Sequence, residues 1–144
     1  MGISSKKKPR RSKLLLAILP EILVCVALVK SKAGQKLLRL AVDTGSSFTV
    51  IPYEAVIKLG LDPTQAQEKE TIVAANGLVY APVVEIPLFG ALGVELHRFK
   101  VLCHDLPGQS RVEGVLGLDF LSRFPPYRKF REEVLKIAPP FWQS

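Results

Sequence analysis

The alternation of apolar and polar residues along the 144-residue chain predicts a succession of short strands, with helical periodicity confined to brief stretches. Residues 22–30 are rich in Val, Ile and Leu, the pattern of a strand buried on both faces. A polar turn over 31–36, containing Gly34, separates them from a second apolar run through Leu37, Leu38, Leu40 and Val42. Together the two runs predict a hairpin whose second strand leads directly into Asp43. Residues 48–51 predict a further short strand. Residues 52–59 open with Pro52 and are followed by Gly60, the punctuation of a short helix whose buried side would carry Val56 and Leu59.

After a polar loop over 62–69, the apolar runs 71–75 and 78–86 flank Asn76-Gly77. That dipeptide suits a two-residue turn in which both positions need positive φ, so a β-hairpin is predicted. Strands are expected around 88–99, broken by Gly90 and Gly93, and over 100–104. Residues 112–124 hold Gly114 and Gly117 and end in a predicted helix over 119–123, with Asp119 placed to cap it. Residues 130–137 are expected to form a last strand, ended by Pro139-Pro140. The pattern defines an all-β class with one or two short helices. One domain is expected over 20–138, with a basic tail over 1–19 and a short C-terminal tail over 139–144.

Charge changes this picture only at one end. The net charge is +7, but Lys6, Lys7, Lys8, Arg10, Arg11 and Lys13 come with no acid among the first 13 residues, and the remaining 14 bases face 13 acids. The domain is therefore nearly neutral. The basic run reads as a solvated tail, with attachment to a membrane surface through residues 6–19 as the alternative. Nucleic acid is not an expected partner, because no basic groove interleaved with aromatics follows. Pro20 and Glu21 cut the following apolar run into pieces of six and eight residues, too short to span a bilayer, and no Ala-x-Ala-like cleavage site precedes Lys30. The start Met1-Gly2-Ile3-Ser4-Ser5-Lys6 has Lys6 where a myristoylation signal takes Ser or Thr. A cytoplasmic location is expected, with membrane association or export as the alternative.

Cys25 and Cys103 lie in apolar runs without Cys-x-x-Cys or Cys/His spacing, which predicts two buried free thiols. His97 and His104 have no third ligand nearby, so no metal site is expected. Neither a Gly-rich phosphate loop nor a Ser/His/Asp ordering is evident, and no cofactor is expected.

The residues that carry chemistry are Asp43-Thr44-Gly45-Ser46, entered from Leu40-Ala41-Val42 and left through Phe48-Thr49-Val50-Ile51. This resembles the catalytic signature of the aspartic proteases. Some seventy residues on, Gly114-Val115-Leu116-Gly117-Leu118-Asp119-Phe120-Leu121 resembles the element that lies beneath the catalytic loop in that family. The Asn76-Gly77 hairpin falls between them, where the family keeps its flap. The likeness is to the retroviral-type, retropepsin-like branch, nearest to its cellular and bacterial single-domain members.

The resemblance implies a closed β-barrel subunit. Only one Asp-Thr-Gly triplet is present, so it also implies a homodimer in which Asp43 of each copy forms the catalytic pair. Thr44 would hydrogen-bond across the dimer, and Gly45 would let the loop pass close to its twin. Ser46 would set its hydroxyl against the Asp43 carboxylate. Val115 and Leu116 would pack under the loop, with Gly117 permitting close approach. Asn76 and Gly77 would form the tip of a flap closing over an extended polypeptide substrate. Tyr80 would line a side-chain pocket or simply pack.

Two features depart from the viral pattern. Leu118 stands where viral members carry Arg, and Ser47-Phe48 stands in place of its acidic partner, so both halves of that ion pair are missing together. Pro125-Pro126 also precedes the segment that would have to supply the interleaving C-terminal strand. A catalytically silent dimerisation or peptide-binding module of the same fold is the alternative function.

Overall fold

The computed structural model describes residues 23–74, 77–108 and 110–133. The basic tail, the apolar residues 14–19, Asn76 and the C-terminal tail lie outside the described residues.

Among the described residues seven strands form: β1 (Val24–Lys30), β2 (Gln35–Val42), β3 (Val50–Ile51), β4 (Lys69–Ala74), β5 (Gly77–Ala91), β6 (Val94–Cys103) and β7 (Gly114–Leu116). Two short helices, α1 (Tyr53–Lys58) and α2 (Leu118–Leu121), and a 3-10 turn at Pro63–Gln65 connect them. The strands run in the order β1-β2-β7-β3-β6-β5, and β1 pairs again with β5 to close a six-stranded barrel. The all-β barrel with few helices expected from the sequence is the fold adopted. β4 pairs with the first part of β5 in a hairpin that stands apart from the ring.

The β1–β2 hairpin shows how the pattern becomes a wall. Cys25, Ala27 and Val29 of β1 and Leu38 and Leu40 of β2 face inward and are buried. The alternate positions Val26 of β1 and Leu37 of β2 are 58% and 64% exposed, so the hairpin, β1 included, is buried on one face and not on two. Antiparallel pairing accounts for this correction: no crossover helix covers the outside of such a hairpin, and the apolar residues there meet solvent.

Phe89 of β5, Phe99 of β6 and Phe120 of α2 fill the barrel centre, with ring centroids 5.0–6.1 Å apart in tilted and edge-on contacts. The period of two then splits the layer formed by β3, β6 and β7. Ile51, Val101, Cys103 and Leu116 join the main core. Val50 and Leu102 instead form a second small cluster with Ala81, against which Ile72, Val83 and Val115 pack. This thin layer gives the molecule a second apolar face beside the β4–β5 hairpin.

Three further elements differ from the sequence pattern. β5 runs unbroken through Gly90, and the chain reverses at Leu92-Gly93, both at positive φ of 52° and 78°. The strand at 48–51 shrinks to Val50–Ile51. Residues 125–133 are helical, so the strand expected over 130–137 is not formed in its described part. Pro125 and Pro126 sit in the first helical turn, where a missing N–H costs nothing, and Arg128/Glu132 and Lys129/Glu133 have the favourable i, i+4 spacing.

Cys25 and Cys103 are free and buried. Burial pushes the Cys25 thiol up, and burial together with the Asp105 charge pushes Cys103 up to about 12 from 9.0. At pH 8 a thiol reagent should modify neither cysteine in the folded chain and both after unfolding, read by mass; prompt labelling of folded Cys103 would contradict its burial. The raised value also fixes a sign. The contribution of Cys103 to stability is complete below about pH 9 and declines as the pH climbs from 9 toward 12, because only the unfolded thiol can ionise freely there.

Candidate active site

β2 ends at Val42, and the chain leaves the barrel wall at Asp43. The Asp43 N–H donates to Leu116 O of β7 at 3.0 Å, which pins the start of the loop to the strand beside it. Within the loop, Gly45 N–H donates to Asp43 Oδ1 at 2.8 Å and Ser46 N–H to Asp43 O at 3.2 Å. The Ser46 hydroxyl donates to Phe48 O at 2.8 Å, not to the Asp43 carboxylate. The bond is local, a side chain closing on the backbone two residues on, as serine does in tight loops. Asp43, Thr44 and Gly45 are exposed in the single subunit. Gly45 does not have positive φ; a Cβ there would instead crowd Asp43 Oδ1 at 3.2 Å.

The segment after β7 supports the loop from below. Leu118 N–H donates to Ser46 O at 2.8 Å, and a Cβ on Gly117 would lie 2.6 Å from Phe48 O and 2.8 Å from Ser46 O. Leu116 is buried in the main core, while Val115 is half-buried and faces the groove described next. Thr49, fully buried, donates its hydroxyl to Asp119 Oδ1 at 2.7 Å and its N–H to Asp119 Oδ2 at 3.0 Å. The same hydroxyl accepts from Gly117 N–H at 3.1 Å. Asp119 is thus not a helix cap. The cap position of α2 is Gly117, and Asp119 occupies the first turn, where it also accepts from Phe120 N–H.

A groove of about 1060 Å³ runs from Asp43 beneath the β4–β5 hairpin. Val50, Leu102 and Val115 line one side, Ile72 and Val79 of the hairpin another, and His104 and Leu106 a third. Its surface is mostly apolar, with the Asp43 carboxylate at one margin. Asp105 anchors the last of these walls by accepting from Tyr53 N–H of α1 at 2.9 Å. The hairpin register pairs Ala74 with Gly77 and Val73 with Leu78, so Gly77, at φ 117°, begins β5 instead of occupying the turn that Asn76-Gly77 predicts. Tyr80 is 73% exposed and does not line the groove. Among the described residues, no three His, Cys, Asp or Glu side chains come together as a metal site, and no helix is long and apolar enough to cross a membrane.

A strand-borne Asp-Thr-Gly loop, a glycine-dependent support and an overhanging hairpin therefore surround one groove. The model of the aspartyl protease family matches residues 29–120, well over half of the chain. The chain belongs to the aspartyl protease family. The matched solved structures include a retropepsin-like aspartic protease from Rickettsia conorii, with 24% identity and a TM-score of 0.53 over 73% of this chain and 81% of that one. At that identity the likeness is one of fold, and the fold is the retropepsin-like barrel. No curated protein sequence matches.

In this member of the aspartyl protease family the structure brings Asp43, Thr44, Gly45, Ser46, Val115, Leu116 and Gly117 together, and places Gly77 at the far end of the hairpin. Two contributors escaped the sequence reading. Thr49 interrupts the apolar run Phe48 to Ile51, and a lone hydroxyl in a buried strand requires a partner. That was its available signal. Asp119 was visible as a helix-start residue within the Gly114-to-Leu121 element, but nothing in local sequence says that its carboxylate reaches Thr49, seventy residues away.

Proposed function

We propose that the chain is an aspartic endopeptidase in which two copies pair so that their Asp43 carboxylates lie side by side and activate one water. The observation that carries this reading is the position of Asp43: an exposed carboxylate on a backbone-pinned loop, at the margin of an apolar groove. One subunit supplies one such carboxylate in an Asp-Thr-Gly setting. Peptide hydrolysis needs a base to take a proton from water and an acid to give one to the carbonyl oxygen or leaving amine. Two close carboxylates sharing a proton do both, as is general for this enzyme class.

Thr44 and Gly45, both exposed in the single subunit, meet their counterparts in the second copy. The β4–β5 hairpin acts as the flap, with Asn76 and Gly77 at its tip. An extended polypeptide lies between flap and loop, its main chain held as an added strand and its side chains in the apolar groove. No metal or cofactor enters this chemistry.

The test is cleavage of a denatured protein mixture across about pH 4 to 7.5, the range suited to carboxylate acid–base work, with cut sites mapped and specific activity followed on dilution. Activity per chain that falls as sedimentation shows dimers dissociating supports the reading. Undiminished activity from a strict monomer would sink it, and dimers that bind peptides without cutting them would favour the silent binding module.

A further inference from the structure

We propose that Asp119 is a positioning residue for Asp43, acting through Thr49 and Gly117 on the far side of the loop from the groove. The proposal rests on the protease reading for its catalytic consequence, but its structural core stands apart from it. The loop 43–48 leaves the barrel wall and carries the reactive carboxylate into solvent, so its position depends on what holds it from behind. Residues 116–119 do so at three points: Leu116 O takes the Asp43 N–H, Leu118 N–H reaches Ser46 O, and Gly117 N–H reaches the Thr49 hydroxyl. The first two contacts are backbone to backbone and indifferent to side-chain identity. The third exists only because position 49 carries a hydroxyl.

That hydroxyl is in turn fixed by Asp119. It lies 2.7 Å from Oδ1, so its proton goes to the carboxylate and its lone pair is left facing Gly117 N–H. The carboxylate meets donors alone: the Thr49 hydroxyl and Phe120 N–H at Oδ1, and Thr49 N–H at Oδ2. Only a carboxylate can accept from all of them. The amide of Asn would turn its NH2 toward one of these donors, whichever way it flips. The chain Asp119–Thr49–Gly117 is therefore directional and charge-assisted, and it sits where Thr49 has no exposure to water that could substitute for a lost partner. Neither Thr49 nor Asp119 lines the groove. Their effect on turnover must pass through the loop.

The experiment compares Thr49→Val, which keeps shape and removes the hydroxyl, Thr49→Ser, which keeps the hydroxyl, and Asp119→Asn, all in the full chain. Amide hydrogen exchange is read residue by residue. The expected result for Thr49→Val and Asp119→Asn is exchange at Ser46 and Leu118 faster by about tenfold or more, with β5 and β6 amides unchanged and Thr49→Ser close to wild type. Peptide turnover should show kcat down by about tenfold or more with KM within about threefold, as expected when the reacting group and not the binding groove is displaced. Exchange that stays at the wild-type rate in the loop, or that rises equally throughout the barrel, would overturn the proposal. If Thr49→Val does not fold, Asp119→Asn against Thr49→Ser makes the same comparison. A wild type that hydrolyses nothing would defeat the protease reading, while the exchange data would still decide whether Asp119 holds the loop.

Discussion

Asp43→Asn is expected to lower peptide hydrolysis by about 10³-fold or more while leaving the melting temperature unchanged. The two halves of this expectation come from one fact: Asp43 is exposed in the subunit and contributes one intraloop acceptor, to Gly45 N–H, which the Asn carbonyl can replace. The barrel core does not involve it. Chemistry does, because an amide neither takes a proton from water at neutral pH nor returns one. Mixing provides a sharper form of the test. If each active unit needs Asp43 from both copies, an equal mixture of wild-type and Asp43→Asn chains, allowed to exchange, leaves about one quarter of the pairs with two aspartates. Wild-type activity should then fall to about half of its unmixed value, and further with excess variant. Activity strictly proportional to the wild-type chain present would show that each subunit works alone.

Gly117→Ala is expected to cost about 2–3 kcal/mol of stability, near the top of the range for forcing a methyl into a packed interior. It should also reduce turnover by about 10²-fold through a displaced loop. The new Cβ would sit 2.6 Å from Phe48 O, 2.7 Å from Phe48 C and 2.8 Å from Ser46 O. All three are backbone atoms of the segment that follows Asp43, so no side-chain rotation can make room. Either α2 moves away, breaking the Leu118-to-Ser46 and Gly117-to-Thr49 hydrogen bonds, or the loop moves. Gly90→Ala is the control, since its Cβ would meet Glu95 Cγ at an ordinary 3.5 Å; the expected loss is below about 1 kcal/mol. Denaturant midpoints and turnover measured side by side would check both, and a Gly117→Ala variant as stable and active as wild type would mean that the loop does not rest on residue 117.

The parts of the fold visible in the chain are those where local chemistry has one solution. Alternation of apolar residues through β2 marks Leu38 and Leu40 as inward facing, Pro52 and Gly60 bracket α1, and Asn76-Gly77 marks the β4–β5 hairpin, though Gly77 begins β5 instead of sitting in the turn. The Asp-Thr-Gly triplet was legible because a short backbone-bonded loop constrains each of its residues. The exposed outer face of the β1–β2 hairpin was not legible, since Val26 and Leu37 are as apolar as the inward residues, and pattern alone does not reveal what lies across a sheet. The helical 125–133 segment misled for a related reason: aromatic residues among charges suit a strand edge as well as a helix, and spacing to the core decides between them.

By itself the sequence determined the strand-rich class, the loop that presents Asp43 and the hairpin that faces it, because each depends on residues adjacent in the chain. Only the tertiary structure decided which face of β3, β6 and β7 lines the groove. It also decided that Thr49 and Asp119, seventy residues apart, share one hydrogen-bond chain under the loop. Those outcomes depend on barrel closure, which brings distant strands into register and leaves buried polar groups to pair with whatever closure has placed beside them.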